Sequence, residues 1–171
     1  MYQLSSKLSE EEGYENALFS DDATRGFAFI ELCQKRFDCI VMNPPFGEGS
    51  ENTSSYLDAY YPAWCRNLVC AFFDRMQEML TDKGKLGAIF DRTVMIKSSY
   101  EKFRKRNLCG FITNCADTGW GVLDANVETS TLVLNKNCSD GIGVFMDVLN
   151  VKPAEKDEQI QVLLRTFRAG R

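Results

Sequence analysis

The stretch Phe37 to Ser50, FDCIVMNPPFGEGS, limits the possible folds more than any other part of the chain. Cys39 to Met42 is a continuous apolar run, the pattern of a parallel strand buried on both faces. Asn43, Pro44 and Pro45 end it at once, because proline has no N–H to give to a ladder and fixes its own backbone. A strand of this kind needs neighbouring strands and covering helices, so the rest of the chain must supply alternating elements of both kinds.

The remaining sequence meets that requirement. Residues 1 to 22 are polar and acidic and form a poorly packed lead-in, with the folded part over residues 23–171. From Asp22 to Phe37, Phe27, Ile30 and Leu32 ahead of Lys35 and Arg36 suit a short helix. Gly47 to Ser55 is rich in Gly, Ser, Asn and Thr, the composition of a mobile loop. Pro62 opens a helix carrying Trp64, Leu68, Phe72, Met76 and Leu80 or Met79 at helical spacing, and Gly84 ends it. Lys85 to Phe90 is a second buried strand. SSYEKFRKRNL is a helix with Ser98 or Ser99 as its cap. Gly110 to Asp117 is a third strand. VETSTLVLN and IGVFMDVL are two more, with KNCSDG between them in the style of a hairpin turn. Ile160, Leu163, Leu164 and Phe167 share one stripe of a last helix. The order implies an α/β sheet, mostly parallel, with an antiparallel strand near its end.

Composition removes several classes of function. The chain has 171 residues and no histidine, so histidine-based acid/base or triad chemistry is excluded and zinc has little to bind. No metal site is expected. The seven cysteines are odd in number and form no CxxC pair, so most are read as small buried apolar residues. No apolar run reaches the length of a membrane span, and the first residues lack a signal-peptide pattern, so a cytoplasmic protein is expected. The net charge of -4 disfavours broad adhesion to phosphate but permits a local basic patch. Arg92, Lys97, Lys102, Arg104, Lys105 and Arg106 form the densest such patch. Arg92 and Lys97, near a strand end, are the candidates for phosphate contact.

In open α/β sheets ligands gather at the carboxyl ends of the strands. Asn43 to Phe46 stand at such an end and combine a rigid acceptor carbonyl, an amide oxygen and an aromatic face, a set suited to a planar ligand with an NH2 group. Here the chain resembles the S-adenosylmethionine-dependent N6-adenine DNA methyltransferases, whose motif is (D/N)PP(Y/F). FDCIVMNPPFG, MLTDKGKLGAIFDRTVMIKSSYEKFRKRNL and GVLDANVETSTLVLNK are similar in order and spacing to the latter half of the catalytic domain in large restriction-modification and phage-defence methylases, over about residues 24–136. The resemblance implies that the Asn43 side chain and the Pro44 carbonyl accept the two N6 hydrogens of a flipped-out adenine, that Pro45 stiffens the motif, and that Phe46 stacks on the base. Gly47 begins a loop able to close over that base. Asp38, at the start of the strand, is read as structural.

The same resemblance implies a partial Rossmann-like methyltransferase fold. A complete enzyme of this type places a strand, a glycine turn and a helix for S-adenosylmethionine ahead of the motif, and the 36 residues before Phe37 show no such pattern. The chain is therefore expected to be the C-terminal portion of a catalytic domain, a fragment or truncated gene product. Its cofactor-binding residues are left unassigned. DNA is the expected partner, together with the missing half of the domain or a partner subunit; a half-sheet would leave the NPPF strand at an unprotected edge, where a homodimer is the alternative to pairing with that half. Asp117-Thr118-Gly119-Trp120-Gly121 matches DxGxG, but no helix pattern follows, so it is not read as a cofactor turn. In the resemblance this region has Leu123 where an aromatic residue is common. Two other functions stay open: methylation of a protein glutamine amide, which offers a similar NH2 group, and a non-catalytic nucleic-acid-binding remnant.

Overall fold

A computed structural model describes residues 24–64, 67–138 and 143–170. The lead-in expected over residues 1–22 lies outside them. By internal contacts the chain divides after Arg36. In the first unit, residues 24–34 form helix α1, as the apolar spacing predicts, with Phe27 and Phe29 exposed.

The second unit is built on five strands: β1 (Phe37–Met42), β2 (Leu80–Asp91), β3 (Ile112–Gly119), β4 (Thr129–Asn135) and β5 (Val144–Asp147). Their order across the sheet is β1-β2-β4-β3-β5. β1 pairs parallel with β2 and β3 parallel with β5, while β4 runs antiparallel to both of its neighbours, β2 and β3. Four strands thus share one direction and β4, at the centre, is reversed, so the sheet is mixed, with two parallel and two antiparallel pairings among the described residues, where a mostly parallel one was expected. The hairpin expected between β4 and β5 does not form. β5 pairs along the far edge of β3 instead, so the chain crosses β3 between them. Gly84 lies inside β2 and is needed there, since a Cβ would stand 2.9 Å from the Phe37 carbonyl oxygen of β1.

Helix α2 (Glu51–Tyr60) occupies most of the stretch whose composition suggests a loop. Thr53 N–H donates to the Ser50 carbonyl at its start, and Leu57 is buried. A 3-10 turn covers Pro62–Trp64, and α3 (Leu68–Glu78) begins only after it, capped by Asn67, whose side chain accepts from Cys70 N–H at 3.1 Å. The later start changes the phase of the buried stripe. Val69, Cys70, Ala71 and Phe73 face the core and Phe72 is partly exposed, in place of the stripe through Phe72 that a start at Pro62 implies. After β2 come the short α4 (Thr93–Ile96), a 3-10 turn Ser98–Tyr100, α5 (Glu101–Phe103) and a π-helical turn Arg104–Leu108. This is the expected helical segment, but neither Ser98 nor Ser99 caps it with a side-chain hydrogen bond. Helix α6 (Lys156–Ala169) closes the chain and packs against β5.

The core lies between α3, the helical run after β2 and one face of the sheet. Phe73 meets Phe90 and Phe103 edge-on at ring-centroid distances of 5.2 and 5.7 Å, with Leu86, Leu132 and Leu134 beneath them. Cysteine usage differs from expectation: Cys70 and Cys115 are buried, Cys39 and Cys109 are exposed, and Cys33 and Cys138 are intermediate. Burial first, and then the Asp117 charge, pushes the Cys115 thiol up to about 11 from 9.0. The neutral thiol is the form the fold favours. Its contribution to stability is complete below pH 9 and is lost as the pH rises to about 11. Chemical denaturation across that range should show a loss of at most about 2–3 kcal/mol that Cys115→Ala does not share. An identical loss in the variant would assign it to other groups.

Candidate active site

The carboxyl ends of β1, β2, β3 and β5 form one rim of the sheet. At the β1 tip Asn43 is exposed, Pro44 is buried, Pro45 is exposed, and Phe46 is partly buried against the core. The exposed Asn43 thus stands directly before two prolines and a ring packed against the core. Gly47 follows with φ +88°, a left-handed conformation that residues with a Cβ rarely adopt. The Gly47 carbonyl accepts from Leu68 N–H at 2.9 Å, and Glu48 bridges Asn67. Gly47 and Glu48 are therefore joined to Asn67 and Leu68 in one neck beside the motif. The buried Asn67 closes that neck, and its Nδ2 donates to the Tyr100 hydroxyl at 2.9 Å. Sequence reasoning missed Asn67, although an Asn directly before the apolar run LVCAFF is a helix-start signal. At the opposite end of β1, Asp38 accepts from the Thr81 hydroxyl at 2.8 Å, a structural contact far from the tip.

The basic residues after β2 fall into two groups. The Arg92 side chain is 19% exposed; its Nε donates to Asp117 Oδ1 at 2.7 Å and its Nη1 to Glu128 Oε2 at 3.4 Å. The hydrogen bond to Asp117 holds its guanidinium above the ordinary value. Arg104 donates to the Val94 and Lys97 carbonyls, Lys105 pairs with Glu101, and Arg106 lies 5.5 Å from the Trp64 ring centroid. Lys97 and Lys102 are exposed and have no ion pair among the described residues. Arg92 thus ties the tips of β2, β3 and β4 together, whereas Lys97 stands exposed.

At the end of β3 and just after it, Gly119 and Gly121 both have positive φ, at 59° and 77°. A Cβ on Gly119 would sit 2.7 Å from Leu149 and one on Gly121 2.6 Å from Pro153. Lys156, only 4% exposed, donates from Nζ to the Thr118 and Trp120 carbonyls. No helix follows these glycines; residues 121–126 bend directly toward β4. DTGWG is therefore a clamped turn at the rim, and Trp120 projects from it half exposed.

Residues 3–112 match the sequence profile of the Eco57I restriction-modification methylases. The chain belongs to this family. It is 26% identical over 132 residues to the adenine-specific methyltransferase PglX of Lacticaseibacillus casei (strain Zhang), an alignment that takes in 72% of this chain and 11% of PglX. In fold it is similar to a structure from Listeria monocytogenes assigned to the class I S-adenosylmethionine-dependent methyltransferases, with a TM-score of 0.57, 14% identity, and coverage of 75% of this chain and 42% of the other. It is also similar to the methyltransferase subunit of a type I restriction-modification system from Streptococcus thermophilus, with a TM-score of 0.57, 15% identity, and coverage of 77% and 32%. The α/β sheet is thus a partial Rossmann-like methyltransferase fold, and the chain spans about a tenth of PglX and less than half of either structure. Among the described residues, no helix is long and apolar enough to cross a membrane.

Proposed function

We propose that this member of the Eco57I methylases is the amine-gripping part of a DNA adenine-N6 methyltransferase. The observation that carries the proposal is an exposed Asn43 on a proline-stiffened strand tip, with Phe46 anchored beside it, at the ligand-binding rim of a methyltransferase fold. The N6 lone pair of adenine is delocalised into the ring, so the amine is a poor nucleophile while planar. Accepting its two hydrogens at the Asn43 side-chain oxygen and the Pro44 carbonyl draws the nitrogen toward tetrahedral geometry and frees the lone pair. Pro45 fixes the acceptor directions. Phe46 stacks on the extruded base, a contact worth about 1–3 kcal/mol against the cost of unstacking. Gly47 and Lys97 meet the DNA strand beside that base, and Arg92 holds the rim in shape for them.

S-adenosylmethionine is the proposed methyl donor. Among the described residues β1 pairs with β2 alone, and no strand followed by a glycine turn and a helix precedes it in the chain. These residues do not by themselves furnish a cradle for the donor, so this chain's role is to hold and orient the acceptor amine. We assign residues 23–171 to the C-terminal portion of the catalytic domain. The outer edge of β1 is the place for a cofactor-binding part of that domain or a partner subunit, and a second copy of the chain is the competing occupant. The proposed location is the cytoplasm.

Calorimetry of the isolated chain with S-adenosylmethionine is expected to show weak binding or none; micromolar affinity would contradict the division of labour above. In an assembly that includes the cofactor-binding part, methyl transfer to adenine in DNA is expected. Transfer to a glutamine peptide instead would move the substrate from DNA to protein, and transfer to neither would leave a nucleic-acid-binding remnant.

A further inference from the structure

A cleft of about 680 Å³ opens two residues beyond Phe46, a volume in the usual range for small-ligand sites. Glu48 and Pro62 line it, and so do Ser98, Ser99, Tyr100 and Lys102. Its walls are fixed to each other, because Asn67 bridges Glu48 through the backbone and donates to the Tyr100 hydroxyl. Glu101 also lines the cleft, but its carboxylate is paired with Lys105 at 2.5 Å. Glu48 and Lys102 are exposed and neither has an ion-pair partner among the described residues, so opposite charges face one cleft without neutralising each other. A ligand that satisfies both must offer an anionic oxygen to Lys102 and the serine hydroxyls, and an N–H donor to Glu48. A nucleotide whose base carries an exocyclic amine has both groups.

We infer that this cleft receives the DNA nucleotide next to the methylated adenine, and that Glu48 selects a neighbour with an exposed amino group. The inference rests on the adenine-methyltransferase reading of the Asn43 site. A carboxylate accepts from cytosine N4 and is repelled by the acceptor oxygens of thymine, so cytosine is the favoured neighbour. Lys102, Ser98 and Ser99 contact the phosphate and carry no base preference.

The test uses the full chain and short fluorescent single-stranded DNAs with one adenine flanked by cytosines or by thymines, followed by polarisation at several salt concentrations. Cytosine flanks should bind about tenfold more tightly, and Glu48→Ala should erase that difference. Lys102→Ala should weaken both DNAs alike and reduce the slope of log affinity against log salt by about 0.7. Asn43→Ala is measured in parallel for its preference for adenine over purine, which lacks the N6 amine, and so reports on the active site separately. A flank preference that survives Glu48→Ala while Asn43→Ala abolishes adenine preference would overturn the cleft assignment and leave the active-site reading standing. Deoxycytidine monophosphate binding as tightly as the cytosine-flanked DNA would mark a free-nucleotide site and also overturn it. So would a chain that binds neither DNA.

Discussion

Asn43→Ala is expected to lower methyl transfer to adenine by about 100- to 1,000-fold, measured in an assembly that also contains the cofactor-binding part of the enzyme. Asn43 is exposed, so stability should change little and the loss belongs to the chemical step. Affinity for S-adenosylmethionine should stay nearly unchanged, since the proposed role of Asn43 is toward the acceptor amine. Asn43→Asp keeps a side-chain oxygen acceptor at the same place and should retain most of the activity. Phe46→Ala should act differently, weakening DNA binding through lost stacking of about 1–3 kcal/mol and also loosening the anchor under the motif. The informative quantity is the single-turnover rate with saturating DNA. A rate for Asn43→Ala close to that of the parent protein would remove Asn43 from the mechanism, and a parallel loss of cofactor binding would place it on the other side of the site.

The motif was legible because its meaning is local. Two prolines after an apolar run stop a strand whatever surrounds it, and the residues that do so also carry the acceptors. The strands themselves were legible for the same reason, since Cys39 to Met42, Leu86 to Phe90 and Leu132 to Leu134 are apolar runs, but the burial of the first on both faces was not: none of Cys39 to Met42 is buried and Val41 is 81% exposed, because β1 is an edge strand among the described residues. What could not be read off the sequence depends on partners distant along the chain. Gly47 to Ser55 has a loop's composition, yet residues from Glu51 onward are helical because Leu57 buries itself against the Gly49 backbone, where a Cβ would stand 2.4 Å from Leu57 Cδ1. β4 and β5 carry hairpin signals, but β3 offers β5 an open edge, and a turn sequence cannot report that competition. The basic patch was visible as a cluster of charge. Which cations were already neutralised depended on Asp117, Glu128 and a set of backbone carbonyls, and the sequence does not state those pairings.

Lys156→Met is expected to destabilise the protein by about 2–4 kcal/mol, although nothing in its sequence context, PAEKDEQ, marks Lys156 as more than a surface charge. Its ammonium is buried and donates to two backbone carbonyls, those of Thr118 and Trp120, in the turn that closes β3. Methionine keeps the length and apolar body of the side chain, so packing should survive while both carbonyls lose a charged donor. Unsatisfied buried acceptors cost about 1–3 kcal/mol each, and relief from burying a charge returns part of that. The turn cannot relax to compensate, because Gly119 and Gly121 are held at positive φ against Leu149 and Pro153. The loss should therefore appear locally as well as globally. Trp120 is half exposed on that turn, whereas Trp64 is buried and donates to Asp74 Oδ2 at 2.6 Å. Below the unfolding transition, fluorescence quenching by acrylamide should rise for Trp120 and stay constant for Trp64, with Trp64→Phe and Trp120→Phe backgrounds separating the two signals. Lys156→Arg, a longer cation with a planar head in a space fitted to an ammonium, should restore little of the stability. A Lys156→Met protein with unchanged denaturation and unchanged Trp120 quenching would mean that the glycine clamps hold the turn alone. In that case α6 would be joined to the rim by its apolar stripe, through Ile160 and Leu164 facing Ala116 and Met146, and not by this lysine.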